Sequence, residues 1–314
     1  MKPSDGYAAY IVNPKSGADA AKKIVNQFAE YLLADGFDVH KSFSKSMSDV
    51  CELTTKAAMD DECGVVVVAG GDGTVREAAN GLEGSSKPLM IIPSGTENLL
   101  ANELGLEEQI DWLITVFEEG DERMLDLGTA NGRCFTSVMG FGFDGDIVKR
   151  VNDKRKGHIR HLDYLQPILQ SFREYSFPVL KVVADGEEVF NEAGLLFIGN
   201  ISRYAIGLEI LHKADFGDGL LDVCIYKCAS RLRLIKHSAL TILKLHADAE
   251  DVIYRQCKSV YVSSPSKDVR TEIDGDPGPS LPMRVEVIPQ AVKVIVPKGG
   301  KGAPIRTKLK KMLK

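Results

Sequence analysis

Short apolar runs and amphipathic segments alternate through the first 128 residues, and this alternation is the strongest constraint on the fold. Predicted strands and helices follow one another in the order Tyr7–Val12, Ala18–Ala34, Phe37–Phe43, Met47–Met59, Val65–Ala69, Thr74–Leu82, Leu89–Ile92 and Thr96–Leu104. Strands that alternate with helices pair in parallel, because each parallel pair needs a crossover connection, and the helices cover both sheet faces. The pattern therefore predicts an α/β domain over residues 1–128, with a Rossmann-like, doubly wound parallel sheet.

The pattern changes after about Asp126, where short strands punctuated by Gly, Pro, Asp and Asn predominate. The predicted strands are Cys134–Met139, Val179–Ala184, Leu195–Ile198, Leu220–Tyr226, Ser259–Val262, Thr271–Ile273, Met283–Ile288 and Val292–Val296. Two predicted helices, Leu162–Phe172 and Arg231–His246, interrupt them. Such spacing is typical of antiparallel sheets. We expect an antiparallel β-sandwich domain over residues 129–297, leaving open a return of its last strand to the first domain.

The charge is distributed unevenly along the chain. There are 44 acidic and 39 basic residues, and Lys298–Lys314 contains seven of the basic residues and none of the acidic ones. An acidic body argues against nucleic acid as a partner, whereas a basic tail over residues 298–314 suits an anionic membrane surface. A solvated, solubilising tail is the alternative. The basic stretch Lys154–His161 is expected at the surface, and its His158 and His161 lack a third ligand for zinc.

No apolar run approaches the roughly 20 residues that cross a bilayer, and Met1–Tyr10 lacks the basic start and apolar stretch of a signal peptide. The six cysteines show no CxxC pair, so we expect reduced thiols. These features predict a cytoplasmic protein that associates peripherally with the membrane.

Three glycine-rich turns each follow a predicted strand and precede a predicted helix. They are NPKSG at Asn13–Gly17, GGDGT at Gly70–Thr74 and PSGTEN at Pro93–Asn98. In a doubly wound sheet such turns meet at the carboxyl ends of the strands, where ligands bind. Each could be only a capped turn, but three that combine glycine with a hydroxyl favour a nucleotide phosphate. The chain has neither the GxxxxGK[ST] loop nor the GxGxxG fingerprint, which weakens a dehydrogenase assignment.

The runs GGDGTVREAANGL (Gly70–Leu82) and PSGTENLLANELG (Pro93–Gly105) resemble the catalytic domain shared by diacylglycerol, sphingosine and ceramide kinases. The resemblance extends, in the family's order, through FGFDGDIV (Phe141–Val148), DFGDGLLDV (Asp215–Val223) and IDGDPGPSLP (Ile273–Pro282). NAD kinases are similar only in GGDGT and in the two-domain plan.

This resemblance implies ATP and Mg2+ as cofactors and assigns residues to them. The positions expected at the nucleotide are Asn13, Gly70, Gly71, Asp72, Gly73, Thr74, Thr96 and Asp276. Glu77, which shares a helix face with Asn80, is expected to brace the phosphate loop, with a solvated helix charge as the alternative. Asp276 stands where the family usually has Glu.

The resemblance also assigns a base and a metal site. Asp274 is implied as the base that accepts the proton of a lipid hydroxyl, and a plain hairpin turn is the alternative. Asp218, with backbone carbonyls of Asp215 and Leu220, is implied to hold magnesium, although Asp218-Gly219 could also be only a turn. Leu99 stands where the better-known bacterial pattern has an Asp in the metal's water network.

The sequence thus predicts an ATP-dependent lipid kinase that transfers the γ-phosphate to a hydroxyl of a diacylglycerol- or sphingoid-type lipid. The alternatives are a soluble kinase resembling NAD kinase and a non-catalytic nucleotide- or lipid-binding regulator. The expected partners are a membrane lipid and the membrane surface, and a homodimer is left open.

Overall fold

The structure is a computed structural model that describes residues 6–17, 19–153 and 165–299. The chain forms two compact units, one comprising the chain up to Leu125 and from Ala291 onward, and the other comprising Asp126–Gln290. The basic stretch Lys154–His161, the start of the predicted helix Leu162–Phe172 and the tail beyond Gly299 lie outside the described residues. Within the described ranges, no helix has both the length and the apolar character needed to span a membrane.

The first unit contains a parallel sheet whose strands alternate with helices. Its elements are β1 (Tyr7–Val12), α1 (Asp19–Ala34), β2 (Val39–Phe43), α2 (Met47–Met59), β3 (Cys63–Gly70), α3 (Asp72–Gly81), β4 (Leu89–Pro93), α4 (Leu99–Glu103) and α5 (Ile110–Glu119). The strands pair in parallel in the order β2–β1–β3–β4. Strands β3 and β4 are almost wholly buried, as expected of strands covered on both sheet faces. The predicted Rossmann-like sheet is confirmed.

The second unit is mainly antiparallel. After β5 (Asp121–Ala130), which begins in the first unit, its elements are β6 (Arg133–Phe135), β7 (Val138–Phe141), α6 (Phe143–Asp153), α7 (Leu165–Glu174), β8 (Val179–Ala184), β9 (Glu187–Gly199), β10 (Arg203–Tyr204), β11 (Leu208–Glu209), β12 (Leu221–Lys227), α8 (Arg231–Ile242), β13 (Val252–Cys257), β14 (Ser259–Ser263), β15 (Thr271–Ile273), β16 (Asp276–Pro277) and β17 (Met283–Val296).

The long strand β9 joins the two halves of this second unit. Its first part pairs with β8, from Glu187 opposite Ala184 to Ala193 opposite Val179. Its last part pairs with β12 on one side and β7 on the other. The core contains buried side chains from both groups of strands, including Phe141, Val182, Ile198 and Val262. This arrangement confirms the predicted antiparallel sandwich.

Two elements differ from the expected ones for local reasons. The predicted strands Met283–Ile288 and Val292–Val296 form the single strand β17, which continues through Gln290 although that residue has a left-handed conformation (φ 50°). From Ala291, β17 belongs to the first unit, where Val294 pairs in parallel with Leu89 of β4. Helix α4 begins at Leu99 instead of Thr96, because Asn98 is also left-handed (φ 49°) and cannot continue a helix.

Candidate nucleotide loops and acidic sites

The three glycine-rich turns lie together at the carboxyl ends of β1, β3 and β4. The Asn13 side chain donates from Nδ2 to the Thr74 hydroxyl at 2.9 Å, which joins the first turn to the second. The Ser16 hydroxyl donates to the Ser94 carbonyl at 3.2 Å, and the Ser94 hydroxyl lies 3.3 Å from the Ser16 hydroxyl. These contacts join the first turn to the third. The structure therefore brings together the loops that the sequence selected separately.

Glycine is required where these turns touch. A Cβ at Gly95 would lie 2.5 Å from the Cα of Gly71, and a Cβ at Gly71 would lie 3.1 Å from the Cα of Gly95. A Cβ at Gly17 would lie 2.7 Å from the Ser94 carbonyl oxygen. Contacts below 3 Å force atoms apart, so the turns pack backbone against backbone. Their N–H groups can therefore approach a ligand closely.

The second turn leads directly into helix α3. Gly71 is the N-cap and contributes no side-chain hydrogen bond to the helix, while its carbonyl accepts from the Thr74 N–H at 2.9 Å. A helix N-terminus presents N–H groups and a partial positive charge to an anion. The buried Thr74 hydroxyl accepts a bond from Asn13, and a hydroxyl can donate one bond as well. Gly70, Asp72 and Gly73 belong to the same turn. These groups can bind phosphate oxygens.

Asn98 shapes the third turn, a role that the motif alone did not reveal. Its Oδ1 accepts from the Gly95 N–H at 2.7 Å, and its Nδ2 donates to the Gly95 carbonyl and to Glu108. Burial raises the pKa of the Glu108 carboxyl, and the bond from Asn98 partly opposes this rise. Thr96, at the exposed tip of the same turn, is held beside the other loops. Asn is one of the few residues other than Gly that adopt a left-handed conformation, and that was the available sequence signal.

Glu77 and Asn80 contact different neighbours along α3. Glu77 Oε1 accepts from Nε of the buried Arg76 at 3.2 Å. Asn80 is exposed, and its Nδ2 lies 3.5 Å from the Cys51 sulfur on α2. The bracing role of Glu77 stays a prediction.

Asp274 occupies a tight hairpin in the second unit and is also bound by a neighbouring segment. Ile273 pairs with Asp276, so Asp274 and Gly275 form a two-residue turn with φ values of 49° and 79°. The buried carboxylate accepts from the N–H groups of Thr136, Ser137 and Val138 at 2.9, 2.9 and 3.2 Å. The Thr136 hydroxyl adds a fourth bond at 3.2 Å. Turn and bound carboxylate therefore coexist at one residue.

Two further carboxyl groups lie buried beside this hairpin. Glu272 accepts from the Gly275 N–H at 2.8 Å, and Tyr204 donates its hydroxyl to Asp144 of α6. Burial raises the pKa of Asp144 to about 6, while hydrogen bonds from Tyr204 and Glu272 oppose the rise. Burial, followed by the nearby Asp144 charge, raises the pKa of Glu272 well above its ordinary value. Both effects favour the protonated form of the Glu272 carboxyl.

Asp276, on the other side of the turn, is half-buried, and its carboxylate lies 3.9 Å from a guanidinium nitrogen of Arg133. Arg133 also donates to the Pro277 carbonyl at 2.6 Å. The hairpin thus carries acidic groups on both strands, Glu272 on β15 and Asp276 on β16. Sequence reasoning singled out Asp276 but neither Glu272 nor Asp144, whose pairing joins positions far apart in the chain.

The predicted metal turn is built around Asp126, which the sequence did not single out. The fully buried Asp126 carboxylate accepts from the Gly219 N–H and the Gln290 N–H, both at 2.6 Å. Its own N–H donates to the Phe216 carbonyl at 2.7 Å. Burial raises the pKa of Asp126, and the charges of Asp218 and Asp215 raise it further. An Asp inside the apolar run of β5 was the signal in the sequence.

The donor set of this turn fits magnesium. Asp218 accepts from the Leu220 N–H at 3.0 Å, and Asp215 accepts from the Gly217 N–H at 3.3 Å, which fixes both carboxylates in the turn. In the part of the chain that the structure describes, no three acidic, His or Cys side chains converge as a metal cluster. Magnesium commonly takes one or two carboxylates and completes its shell with carbonyls and water. Burial is the main cause of the raised Asp126 pKa, and a cation would relieve the smaller contribution of the Asp218 and Asp215 charges.

Comparison with known proteins gives the family. A model described as the diacylglycerol kinase catalytic domain matches residues 8–130, and one described as the YegS C-terminal NAD kinase beta sandwich-like domain matches residues 137–296. A diacylglycerol kinase of Mycobacterium tuberculosis (strain H37Rv) is 31% identical over 301 residues, covering 94% of this chain and 96% of that protein. The chain belongs to the diacylglycerol kinase family.

More distant members of this family agree in sequence and in fold. A diacylglycerol kinase of Bacillus subtilis (strain 168) is 26% identical over 295 residues, covering 93% of this chain and 96% of the relative. The crystal structure of a diacylglycerol kinase from Bacillus anthracis str. Sterne superposes with a TM-score of 0.73 at 23% identity, over 92% of this chain and 96% of that one. The predicted family and fold are confirmed, and the protein is a kinase of the lipid-kinase type.

Proposed function

We propose that this protein transfers the γ-phosphate of ATP to a hydroxyl of a diacylglycerol- or sphingoid-type membrane lipid. The observation that carries the proposal is the contact of three glycine-rich turns, through Gly71, Gly95 and the Asn13–Thr74 bond, at the ends of parallel strands. Family membership supports phosphate transfer, and the relatives are named diacylglycerol kinases. The choice of lipid is the finer part of the proposal.

In this proposal the first unit binds the phosphates of ATP. The N-terminus of α3 supplies N–H groups, and Thr74 supplies a hydroxyl proton. Asn13 and Thr96, on the two adjoining turns, would lie beside the nucleotide. In phosphoryl transfer, the protein does little covalent chemistry itself. Most of the rate enhancement comes from positioning the reactants and from stabilising the charge of the transition state.

Asp274 would act as the general base. Three backbone N–H groups hold its carboxylate rigidly, whereas the Thr136 hydroxyl is a donor that can rotate, and the Ser137 hydroxyl lies 3.5 Å from it. If the Thr136 hydroxyl rotates away from Asp274, a lone pair of Asp274 Oδ2 can accept the proton of the lipid hydroxyl. Asp276 would lie beside the nucleotide.

The Asp218 carboxylate and the backbone carbonyls of Asp215 and Leu220 would hold Mg2+, which would supply positive charge to this acidic turn. Asp126 keeps the turn in shape through its bond to Gly219. The proposal also places the protein peripherally at the cytoplasmic membrane surface, with Lys298–Lys314 as one contact, because the acceptor is a membrane lipid.

One of the two alternatives has specific support. The second-unit family model is described as NAD kinase beta sandwich-like, which keeps a soluble acceptor such as NAD in consideration. A non-catalytic regulator would need the nucleotide turns but no bound carboxylate such as Asp274. The four donors that converge on Asp274 therefore favour the kinase over the regulator.

The test is phosphate transfer from γ-labelled ATP in the presence of Mg2+. Diacylglycerol, a sphingoid base and a total lipid extract, each in detergent micelles, would be compared with NAD in solution. The matched variant is Thr74→Val, which keeps the side-chain shape and removes the hydroxyl. We expect labelled lipid with the wild type and a large loss with the variant. Label on NAD alone, or on no acceptor, would refute the proposal.

A further inference from the structure

Helix α8 has apolar side chains on the face opposite its buried face. Leu234, His237 and Thr241 are buried on the side that faces the rest of the second unit. On the other side, Leu232 is 80% exposed, Ile235 53% and Ile242 64%. Leu232, Ile235, Ala239 and Ile242 follow one another at intervals of three or four residues, which places them in one stripe. Exposed aliphatic residues that form a stripe indicate a binding surface more strongly than scattered ones do.

The stripe continues beyond the end of α8. Leu243 is 64% exposed and Leu245 is 53% exposed. At the other end, Arg231 donates to the carbonyls of Phe172 and Arg173 and so caps α7, which itself exposes Ile168 and Leu169. Arg231 thus links α8 to a second helix that also has exposed apolar side chains.

Basic residues flank this stripe, and the sequence from Arg231 to His246 contains no Asp or Glu. The cations are Arg231, Arg233, Lys236 and Lys244. Two of them pair with acids outside this sequence, Lys236 with Asp251 at 2.7 Å and Lys244 with Glu209 at 2.8 Å. The helix itself thus combines an apolar face with basic edges, the pattern of helices that lie in a membrane interface.

The charges discriminate between two occupants of the stripe. If a second copy packed α8 against α8, the basic edges of both helices would face one another. Of the four cations of each copy, the described residues supply acidic partners to Lys236 and Lys244, which leaves Arg231 and Arg233 to repel their counterparts. An anionic bilayer instead offers acyl chains to the apolar stripe and phosphate groups to the basic edges. Charge complementarity therefore favours the bilayer.

We infer that α8 docks the protein on an anionic lipid bilayer, with Leu232, Ile235, Ile242 and Leu243 inserted at the level of the headgroups. This inference deepens the proposed function and rests on it for its purpose, because a kinase of membrane lipids must rest on the membrane that holds its acceptor. Binding to vesicles needs no phosphate transfer, so the inference can be tested separately.

The experiment compares the double variant Leu232→Gln/Ile235→Gln with the matched control Leu33→Gln/Met59→Gln. The control removes two equally exposed apolar residues, 59% and 80% exposed, from α1 and α2. Flotation with phosphatidylcholine vesicles, with and without phosphatidylglycerol, gives the partition coefficient at low and high salt. We expect the α8 variant to bind anionic vesicles more weakly, by about tenfold or more, at both salt concentrations. The reason is that two apolar side chains that would be buried in the bilayer are lost. The control should bind like the wild type.

Equal vesicle binding by the α8 variant would overturn the inference, as would a fall in its oligomeric state by sedimentation with unchanged vesicle binding. The latter result would identify the stripe as an interface between copies. Because the substitutions are at exposed positions, unfolding curves should match, and Ile242→Gln/Leu243→Gln repeats the test at the other end of α8. Wild-type vesicle binding that depends on α8, without phosphate transfer to any lipid in micelles, would refute the proposed function while supporting this inference.

Discussion

At the scale of single residues, Asp274 has a structural role beside the chemical role that we propose for it. Its carboxylate accepts bonds from three consecutive residues, Thr136, Ser137 and Val138, which fixes their segment to the β15–β16 turn. A left-handed two-residue turn accepts Asn as readily as Asp. Asp274→Asn would therefore keep the turn but change the hydrogen bonds that the side chain accepts, so both turnover and stability must be measured.

We predict that Asp274→Asn lowers both turnover and stability. An amide cannot take up the proton, so phosphate transfer should fall by roughly 100- to 10,000-fold. Its NH2 group would also face two donors, which should cost about 1–3 kcal/mol in the free energy of unfolding. Steady-state kinetics and urea unfolding measure the two effects.

The matched control for this substitution is Thr136→Val. It removes only the hydroxyl donor at 3.2 Å and leaves the Asp274 carboxylate in place. We expect a small loss of stability and a much smaller loss of turnover than with Asp274→Asn. If Asp274→Asn unfolds more easily yet keeps at least half of its turnover, its role is architectural.

At the scale of elements, the contact between the second and third turns depends on two glycines. In Gly95→Ala, the added Cβ would lie 2.5 Å from the Gly71 Cα and would push the turns apart. Overpacking of this kind costs about 1–3 kcal/mol. If ATP binding must restore the contact, the ATP affinity should fall about 10- to 100-fold.

Titration calorimetry of ATP binding checks this prediction. Ser94→Ala is the control, because it removes the 3.3 Å hydroxyl contact with Ser16 without adding an atom near Gly71. We expect it to bind ATP almost normally. Unchanged affinity in Gly95→Ala would mean that the turns need not touch.

The β15–β16 hairpin and α6 share the buried Asp144–Glu272 pair, which makes stability depend on pH. The folded-state pKa of Glu272 is raised, so its contribution to stability is fully present below the unfolded pKa near 4.5 and is lost as the pH rises. Glu272→Gln resembles the protonated acid. We predict that its unfolding free energy relative to wild type increases steadily above pH 4.5.

Chemical denaturation from pH 4 to pH 8 measures this difference, and the reference is the wild-type curve at each pH. Gln also retains an oxygen for the Gly275 N–H, so little stability should be lost at the acidic end. A constant difference between variant and wild type across the range would show that Glu272 does not carry the proton.

The elements that the sequence predicted are those with a local signal. The alternation up to Leu104 and the three turns follow from neighbouring residues, and the family motifs lie in continuous runs. Pairings over long distances had no such signal: Asp126 binds the Gln290 N–H, 164 positions away. Likewise, Tyr204 reaches Asp144, and the donors of Asp274 lie far back in the chain. Such contacts depend on the tertiary packing of the sandwich.

At the scale of the whole molecule, an acidic chain carries two separate basic features. One is the tail Lys298–Lys314, with seven basic residues and no acidic ones, and the other is the edge of α8. In the tail the seven basic residues outnumber the apolar ones, whereas α8 adds the exposed side chains of Leu232 and Ile235. Salt should therefore affect the two contributions differently.

The last prediction concerns deletion of residues Lys298–Lys314. Each basic residue near an anionic surface contributes on the order of 1 kcal/mol, and this attraction falls off within a Debye length of about 10 Å at 0.1 M salt and about 3 Å at 1 M. The deletion should therefore weaken vesicle binding strongly at low salt and little at high salt. Leu232→Gln/Ile235→Gln should weaken it at both, because apolar burial is not screened. If the tail and α8 act independently, the fold-losses multiply when the changes are combined. Equal binding by the truncated chain at low salt would show that the tail is only a solubilising end.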